Sequence, residues 1–341
     1  MSLRPIALTG SLLGVLALVL AVAPAPAAPA PVGPLDAGPR ERPAPAASPT
    51  AVPRTPPTPS GATPEGSADV LAIAHRGASA YAPENTLAAA DKALELGVAW
   101  VENDVQRTRD GELVVMHDAT LARTTNVEEV FPDRAPWRVG DFTAAEIARL
   151  DAGSWFGTRY TGEPVPTLER FLERMTVNHQ KLLLEIKKPE LYPGIEQDIL
   201  DELRDEGWLS PYHVRRRLVV QTFDADSLRR VHALNPAVRT GFLGTPEVAE
   251  LPEYGTFADQ VNPRFTTVTP EYVAAVHAVL GAHGRPLEVF TWTVDDGPTA
   301  ARLAGAGVDG VISNRPDVVR DAIERGERDH ERDDAWGRVG R

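Results

Sequence analysis

His75-Arg76-Gly77-Ala78-Ser79-Ala80-Tyr81-Ala82-Pro83-Glu84-Asn85-Thr86 follows the apolar run Val70–Ala74, and Val98-Ala99-Trp100-Val101 runs directly into Glu102-Asn103-Asp104-Val105. Between them Leu87, Ala90, Leu94 and Val98 recur at helical spacing, so the stretch reads strand, helix, strand, with the helix expected from about Glu84 to Leu96. Side chains alternate along a strand, so Glu102 and Asp104 leave one face and Asn103 the other. Two carboxylates aimed the same way make a cation site. Further out, Leu113–Met116 ends at His117-Asp118, and Leu182–Leu184 ends at Glu185-Ile186-Lys187, where Glu185 and Lys187 repeat the same-side geometry. Polar chemistry at successive strand ends is how a parallel-strand barrel assembles an active site.

The alternation continues beyond this stretch. Strand-like runs begin at Val70, Val98, Lys181, Leu218, Val238, Phe257, Leu287 and Gly310, and helical segments separate them at Leu168–Met175, Gly194–Glu206, Ala225–Leu234, Tyr272–Ala282, Thr299–Ala306 and Pro316–Ile323. Eight such βα units predict an α/β fold, a (β/α)8 TIM-type barrel. Asp110-Gly111 marks a turn ahead of the extra extended piece Leu113–Met116. Residues 119–166 break the rhythm with Pro, Gly and Asp, and read as a small insertion after the second strand region.

The rest of the chain divides by composition. Arg4, the apolar core Leu12–Val22 and the small residues Pro26-Ala27-Ala28 predict a cleaved export signal over 1–28, because the core is shorter than the roughly 20 residues a spanning helix needs. Residues 29–67 are rich in Ala and Pro and predict a disordered linker. The barrel is expected over 68–326, about 260 residues, which suits a single barrel domain. The charged segment 327–341 is expected to be a frayed, disordered tail. The expected location is secreted or extracellular, with possible cell-wall association, and no stable membrane insertion after cleavage. The chain has no cysteine and a net charge of −13. That excludes disulfides and thiolate metal ligands and disfavours nucleic acid as a partner.

His75-Arg76-Gly77, Pro83-Glu84-Asn85-Thr86, Glu102-Asn103-Asp104-Val105, Asp110-Gly111, His117-Asp118, Arg123-Thr124-Thr125-Asn126, Pro166-Thr167-Leu168-Glu169, Glu185-Ile186-Lys187 and Trp292-Thr293-Val294 occur in this order. Together they resemble the glycerophosphodiester phosphodiesterase family, secreted bacterial type, from about Ala68 to Ile323. The resemblance implies a β/α barrel with an inserted segment, a bound divalent cation and hydrolysis of glycerophosphodiesters to glycerol 3-phosphate and an alcohol. It assigns acid–base work to His75 and His117, with His75 as base and His117 as acid. Two positions depart from its pattern: Asn103 stands where an apolar residue is common, and Asn314 stands where an acidic residue is frequent.

The residue types suit that chemistry. A phosphodiester is anionic and repels nucleophiles until its oxygens are neutralised, which Arg76 does with a fork of donors and Lys187 with a point charge. Glu102, Asp104 and Glu185 offer hard oxygens suited to one Ca²⁺ or Mg²⁺. Imidazoles on either side of phosphorus can exchange protons near neutral pH. Glu84 is expected either to favour a helix start or to support the site from behind, and Trp292 either to fill the core or to wall the glycerol side of the pocket. His179, His213, His232, His277, His283 and His330 read as surface or packing residues. The nucleophile is water or the adjacent glycerol hydroxyl, through a cyclic phosphate. Two other readings stay open: a phospholipase-D-like or cyclising phosphotransferase acting on lysophospholipids, which an apolar patch from 119–166 beside the pocket would favour, and a non-catalytic protein that binds glycerol phosphates.

Overall fold

The computed structural model describes residues 70–339, so the expected leader and linker lie outside the described residues. Nine strands occur among them: β1 (Leu71–Ala74), β2 (Trp100–Arg107), β3 (Leu113–Val115), β4 (Lys181–Ile186), β5 (Leu218–Thr222), β6 (Arg239–Leu243), β7 (Gln260–Asn262), β8 (Glu288–Thr291) and β9 (Gly310–Ser313). Eight run parallel in the order β1-β9-β8-β7-β6-β5-β4-β2. β1 also pairs with β2, through Ile73 opposite Trp100, which closes the ring. The fold is a TIM-type α/β barrel. β3 stands outside the ring, antiparallel to β2 with Val115 opposite Val105.

Helices return the chain between strands, and most begin on a residue whose side chain accepts an early backbone N–H. Thr86 caps Leu87–Glu95, Thr167 caps Leu168–Val177, Asp224 caps Ala225–Leu234, Thr269 caps Pro270–His277 and Asp296 caps Gly297–Gly305. Each cap satisfies donors that a helix start would otherwise leave bare. The first helix therefore starts three residues later than its apolar spacing suggests. Asn85 ahead of the cap adopts a positive φ of 59°, which places Glu84 in the loop and not in a helical turn.

The alternation rule organises the barrel interior. Ile73, Trp100, Leu183, Val219, Phe290 and Ile312 form one buried apolar cluster inside the ring. Two residues further along their strands, on the same face, stand His75, Glu102, Glu185, Gln221, Trp292 and Asn314. Val101, Val105, Leu182, Leu184 and Val220 face the other way, into the layer between sheet and helices. The apolar cluster is thus the floor beneath a polar layer at the carboxyl ends of the strands.

Residues 119–166 leave the sheet and carry a core of their own, in which Leu121, Val127, Val139, Phe142, Ile147 and Leu150 pack with Val114 and Met116 at β3. The far end of this insertion folds back over the β1 loop: Glu163 accepts the backbone N–H of Ala88, and Arg159 donates to the carbonyl of Tyr81.

Two boundaries differ from expectation. The strand expected over Phe257–Val261 starts at Gln260, because Phe257 and Ala258 close the preceding turn by bonding back to Tyr254. The tail expected to fray from 327 continues the last helix, Pro316–Val339. At the start of this extension Glu324 pairs with Arg320 at 3.8 Å and with Arg328 at 3.6 Å, charges spaced four apart on the helix.

Candidate active site

β2 and β4 are adjacent, and their register sets Asp104 beside Glu185. One oxygen each from Glu102, Asp104 and Glu185 lies within 4.8 Å of the others, and all three side chains are buried. Lys187, two residues beyond Glu185 on the same face, bonds Glu185 at 2.6 Å and approaches Asp104 Oδ1 to 3.5 Å. Asn103, between the two carboxylates, points into the packing layer, fully buried, with neither side-chain polar atom hydrogen-bonded.

The β1 loop supplies the next group. Its turn places Arg76 at a φ of 55° and Gly77 at 78°. A Cβ on Gly77 would fall 2.5 Å from the backbone of Ala89, so the loop lies directly on the first helix. In this posture the Arg76 backbone N–H donates to Glu102 at 2.8 Å, its Nη1 bonds Glu84 at 2.7 Å and its Nε lies 3.3 Å from Asp104. Asn85 donates to Asp104 Oδ2 at 2.7 Å, a contact no spacing rule predicted. Glu84 also binds Arg123 of the insertion, and Arg123 in turn holds Asp118 at 2.6 Å. Glu84 is therefore a bridge between two arginines.

The two histidines are held by separate loops, after β1 and after β3. His75 Nδ1 bonds Asn314 Oδ1 at 2.7 Å, and its Nε2 lies 4.0 Å from Glu102. His117 Nδ1 bonds Asp118 at 2.6 Å. In each ring one nitrogen is committed to an oxygen acceptor, which leaves Nε2 as the free position. Gln106, two residues past Asp104, fixes the loop of His117 by donating to the carbonyls of Met116 and Asp118.

Burial dominates the proton equilibria. It lowers His75 to about 4, with Arg76 adding to the effect, and it lowers His117 less, partly because Asp104 works against it. Burial raises Glu185 to about 8 and Glu102 well above the usual range, in both cases reinforced by the neighbouring Asp104. Against the same burial, Lys187 and Arg76 hold Asp104 down at about 2. Like charges ~4 Å apart repel by about 4 kcal/mol at an effective dielectric of ~20, so Glu102 and Glu185 resist ionising beside Asp104 unless a cation offsets the repulsion. Five carboxylates (Glu84, Glu102, Asp104, Asp118, Glu185) face three cations (Arg76, Arg123, Lys187). The excess of two negative charges matches one divalent cation. Asp104 Oδ1 is buried without a hydrogen-bond partner, a free hard donor at the centre of the cluster. The residues present fit such a group.

A cleft of about 770 Å³ opens beside His117 and Lys187 and reaches Phe223 in the loop after β5. Phe223 is 52% exposed and meets Trp292 edge to face at 5.6 Å. Trp292, just past β8, donates its indole N–H to the carbonyl of Asn262 and reaches the cleft only through its contact with Phe223. The insertion contributes Ala119 and Thr120 to the cleft lining. Among the other histidines, His213, His277 and His283 bond Ser210, Asp309 and Asp259, away from this mouth. Asn85, Asp118, Arg123 and Asn314 are site residues that the strand-end pattern did not assign. Asn85, Asp118 and Arg123 sit within the quoted motifs, and Asn314 is one of the two departures from the family pattern, so those placements were the available signal.

Comparison with known proteins agrees with this geometry. A model of the glycerophosphoryl diester phosphodiesterase family matches residues 75–318. A glycerophosphodiester phosphodiesterase of Caldanaerobacter subterraneus subsp. tengcongensis is 36% identical over 260 residues, covering 75% of this chain and 98% of the relative. One from Bacillus subtilis is 35% identical over 263 residues, covering 73% and 85%. The solved structure of an Oleispira antarctica phosphodiesterase in complex with the product sn-glycerol-3-phosphate superposes with a TM-score of 0.62 at 28% identity, covering 74% of this chain and 96% of that one.

Proposed function

Starting from the fact that the chain belongs to the glycerophosphoryl diester phosphodiesterase family and shares its enzyme class, we propose that it hydrolyses glycerophosphodiesters to glycerol 3-phosphate and an alcohol with one divalent cation, Ca²⁺ or Mg²⁺, and two acid–base histidines. The observation that carries this reading is the convergence of Glu102, Asp104 and Glu185 within 4.8 Å, with His75 Nε2 4.0 Å from Glu102. When bound, the cation polarises the phosphoryl group and makes a nearby hydroxyl more acidic. Arg76 and Lys187 bear on the phosphoryl oxygens and offset the charge that grows there.

His75, kept neutral at pH 7 by burial, takes the proton of the attacking hydroxyl on Nε2. A new P–O bond forms, the bond to the leaving alcohol breaks, and His117 gives that alcohol its proton. Burial lowers the His117 pKa overall, and Asp104 and the bonded Asp118 work against that lowering, toward the charged form it needs before the transfer. The cleft beside His117 receives the leaving alcohol. Its lining is mixed, with Lys188, Glu190 and Asp224 charged and Ile186, Pro189 and Phe223 apolar, while the insertion adds only the small side chains Ala119 and Thr120 and no large apolar patch. We further propose that the reaction occurs outside the cell, on the strength of the leader pattern in residues 1–28.

Turnover of glycerophosphocholine with Ca²⁺ or Mg²⁺, assayed for free glycerol 3-phosphate, tests the reaction. Glu102→Ala or Glu185→Ala should abolish it, and a chelator should do so reversibly. Undiminished turnover in EDTA defeats the metal role. Full turnover of a substrate lacking the 2-hydroxyl excludes the cyclic route.

A further inference from the structure

Asn314 is an amide, so it can offer His75 either its oxygen or its –NH₂. The two choices select opposite tautomers of the imidazole: oxygen keeps the ring proton on Nδ1 and leaves Nε2 free to accept, and –NH₂ reverses this. A carboxylate at this position, where an acidic residue is frequent in the family, presents oxygens either way. This chain therefore needs a second group to orient the amide.

Asp295, in the loop after β8, is placed to do so. Its Oδ2 accepts from Asn314 Nδ2 at 2.8 Å, and its Oδ1 accepts from the Asn314 backbone N–H at 2.8 Å and from the Ser313 hydroxyl at 3.2 Å. Ser79 donates its hydroxyl to the same Asn314 oxygen that meets His75, at 2.8 Å. Turning the amide over would set its carbonyl oxygen against the Asp295 carboxylate, two acceptors in contact with no proton between them.

We propose that Asp295 is a positioning residue for the reaction. Acting through Asn314, it holds the His75 proton on Nδ1 and keeps Nε2 as a bare lone pair on the side of the acidic cluster. The importance of this for turnover rests on His75 serving as the base in the reaction proposed above, whereas the tautomer itself can be observed without turnover.

In Asp295→Asn the remaining oxygen stays with the Asn314 backbone N–H, and the new –NH₂ faces the amide, which then turns its own –NH₂ toward His75. Ring nitrogen shifts of ¹⁵N-histidine-labelled full-length protein should show the Nδ1–H form of His75 in the parent and its loss in this variant. In turnover, kcat should fall roughly 10- to 100-fold, the range for groups that orient a site residue, with KM changed by less than about threefold. The reciprocal double variant Asp295→Asn/Asn314→Asp restores a carboxylate against Nδ1–H and an amide behind it, and should recover both tautomer and kcat. Asn314→Ala, which leaves Asp295 bonded to the backbone, should reproduce the kinetic loss if Asp295→Asn folds poorly. Parent tautomer and kcat in Asp295→Asn, or a double variant no better than the single one, overturns the proposal. A tautomer change in a protein that hydrolyses no diester upholds the positioning and overturns the reaction.

Discussion

At the scale of single residues, the two histidines are distinguished by what stands behind them. His75 is bonded to a neutral amide and partly buried, and that burial lowers its pKa, which suits a group that begins the cycle without a proton. His117 is bonded to a carboxylate that Arg123 fixes in place, which suits a group that must begin with one. His117→Ala should therefore lower turnover of an alkyl diester by about 10²- to 10⁴-fold, yet largely spare a glycerophosphodiester whose leaving group is p-nitrophenol, which departs without a proton. His75→Ala should impair both. Equal losses of His117→Ala on the two substrates would remove it from the acid role. Asn103 tests packing without chemistry, since its fully buried side chain has both polar atoms unpaired. An unsatisfied buried group costs about 1–3 kcal/mol, so Asn103→Val should raise the thermal midpoint by roughly 2–4 °C or more. A lowered midpoint would mean that the amide has a partner, such as an ordered water.

At the scale of elements, the facing of side chains along the strands and just past their ends was legible, and the contacts between loops distant in the chain were not. Period-two alternation in β2 and β4 gives the facing of Glu102, Asp104, Glu185 and Lys187 without coordinates, because the backbone leaves a strand residue only two directions. No such rule reaches Arg123, which comes to Glu84 from an insertion 39 residues along the chain, or Asn314, which meets His75 across 239 residues because β1 and β9 are neighbours in the ring. Positive φ values at Arg76 and Asn85 are equally hidden, and the one at Asn85 keeps Glu84 out of the first helix. The β1 loop is the most demanding element by this measure. Gly77→Ala would put a methyl group 2.5 Å from the Ala89 backbone at a φ that favours glycine. Overpacking and strain of this kind cost about 1–3 kcal/mol each. We expect a thermal midpoint lower by roughly 4 °C or more, together with loss of turnover, since the same turn directs the Arg76 N–H to Glu102. Parent stability and activity in Gly77→Ala would show that the loop can relax away from the helix.

At the scale of the whole molecule, the acidic cluster couples stability to pH and to the cation. In the metal-free protein Glu185 ionises near 8 and Glu102 well above its usual range, whereas the unfolded chain releases both protons near 4.5. Between those values the folded state holds protons that the unfolded state has lost, so the stability these groups contribute is complete below about 4.5 and is lost as pH rises toward 8. Asp104 behaves oppositely. Its pKa is depressed to about 2, so its contribution is in place above 3.8 and is lost only as pH falls through 2, outside this window. A divalent cation takes the place of the protons and binds the folded state alone, adding about 2.7 kcal/mol at a hundred times its Kd. Its stabilising effect should therefore grow with pH. Thermal midpoints measured in EDTA and in excess Ca²⁺ or Mg²⁺ should separate progressively between pH 5 and pH 8, and Glu185→Gln, which carries no titrating proton at that position, should narrow the separation. A gap that stays constant or shrinks as pH rises would place the cation away from these carboxylates, because protons and metal would then not be competing for the same oxygens.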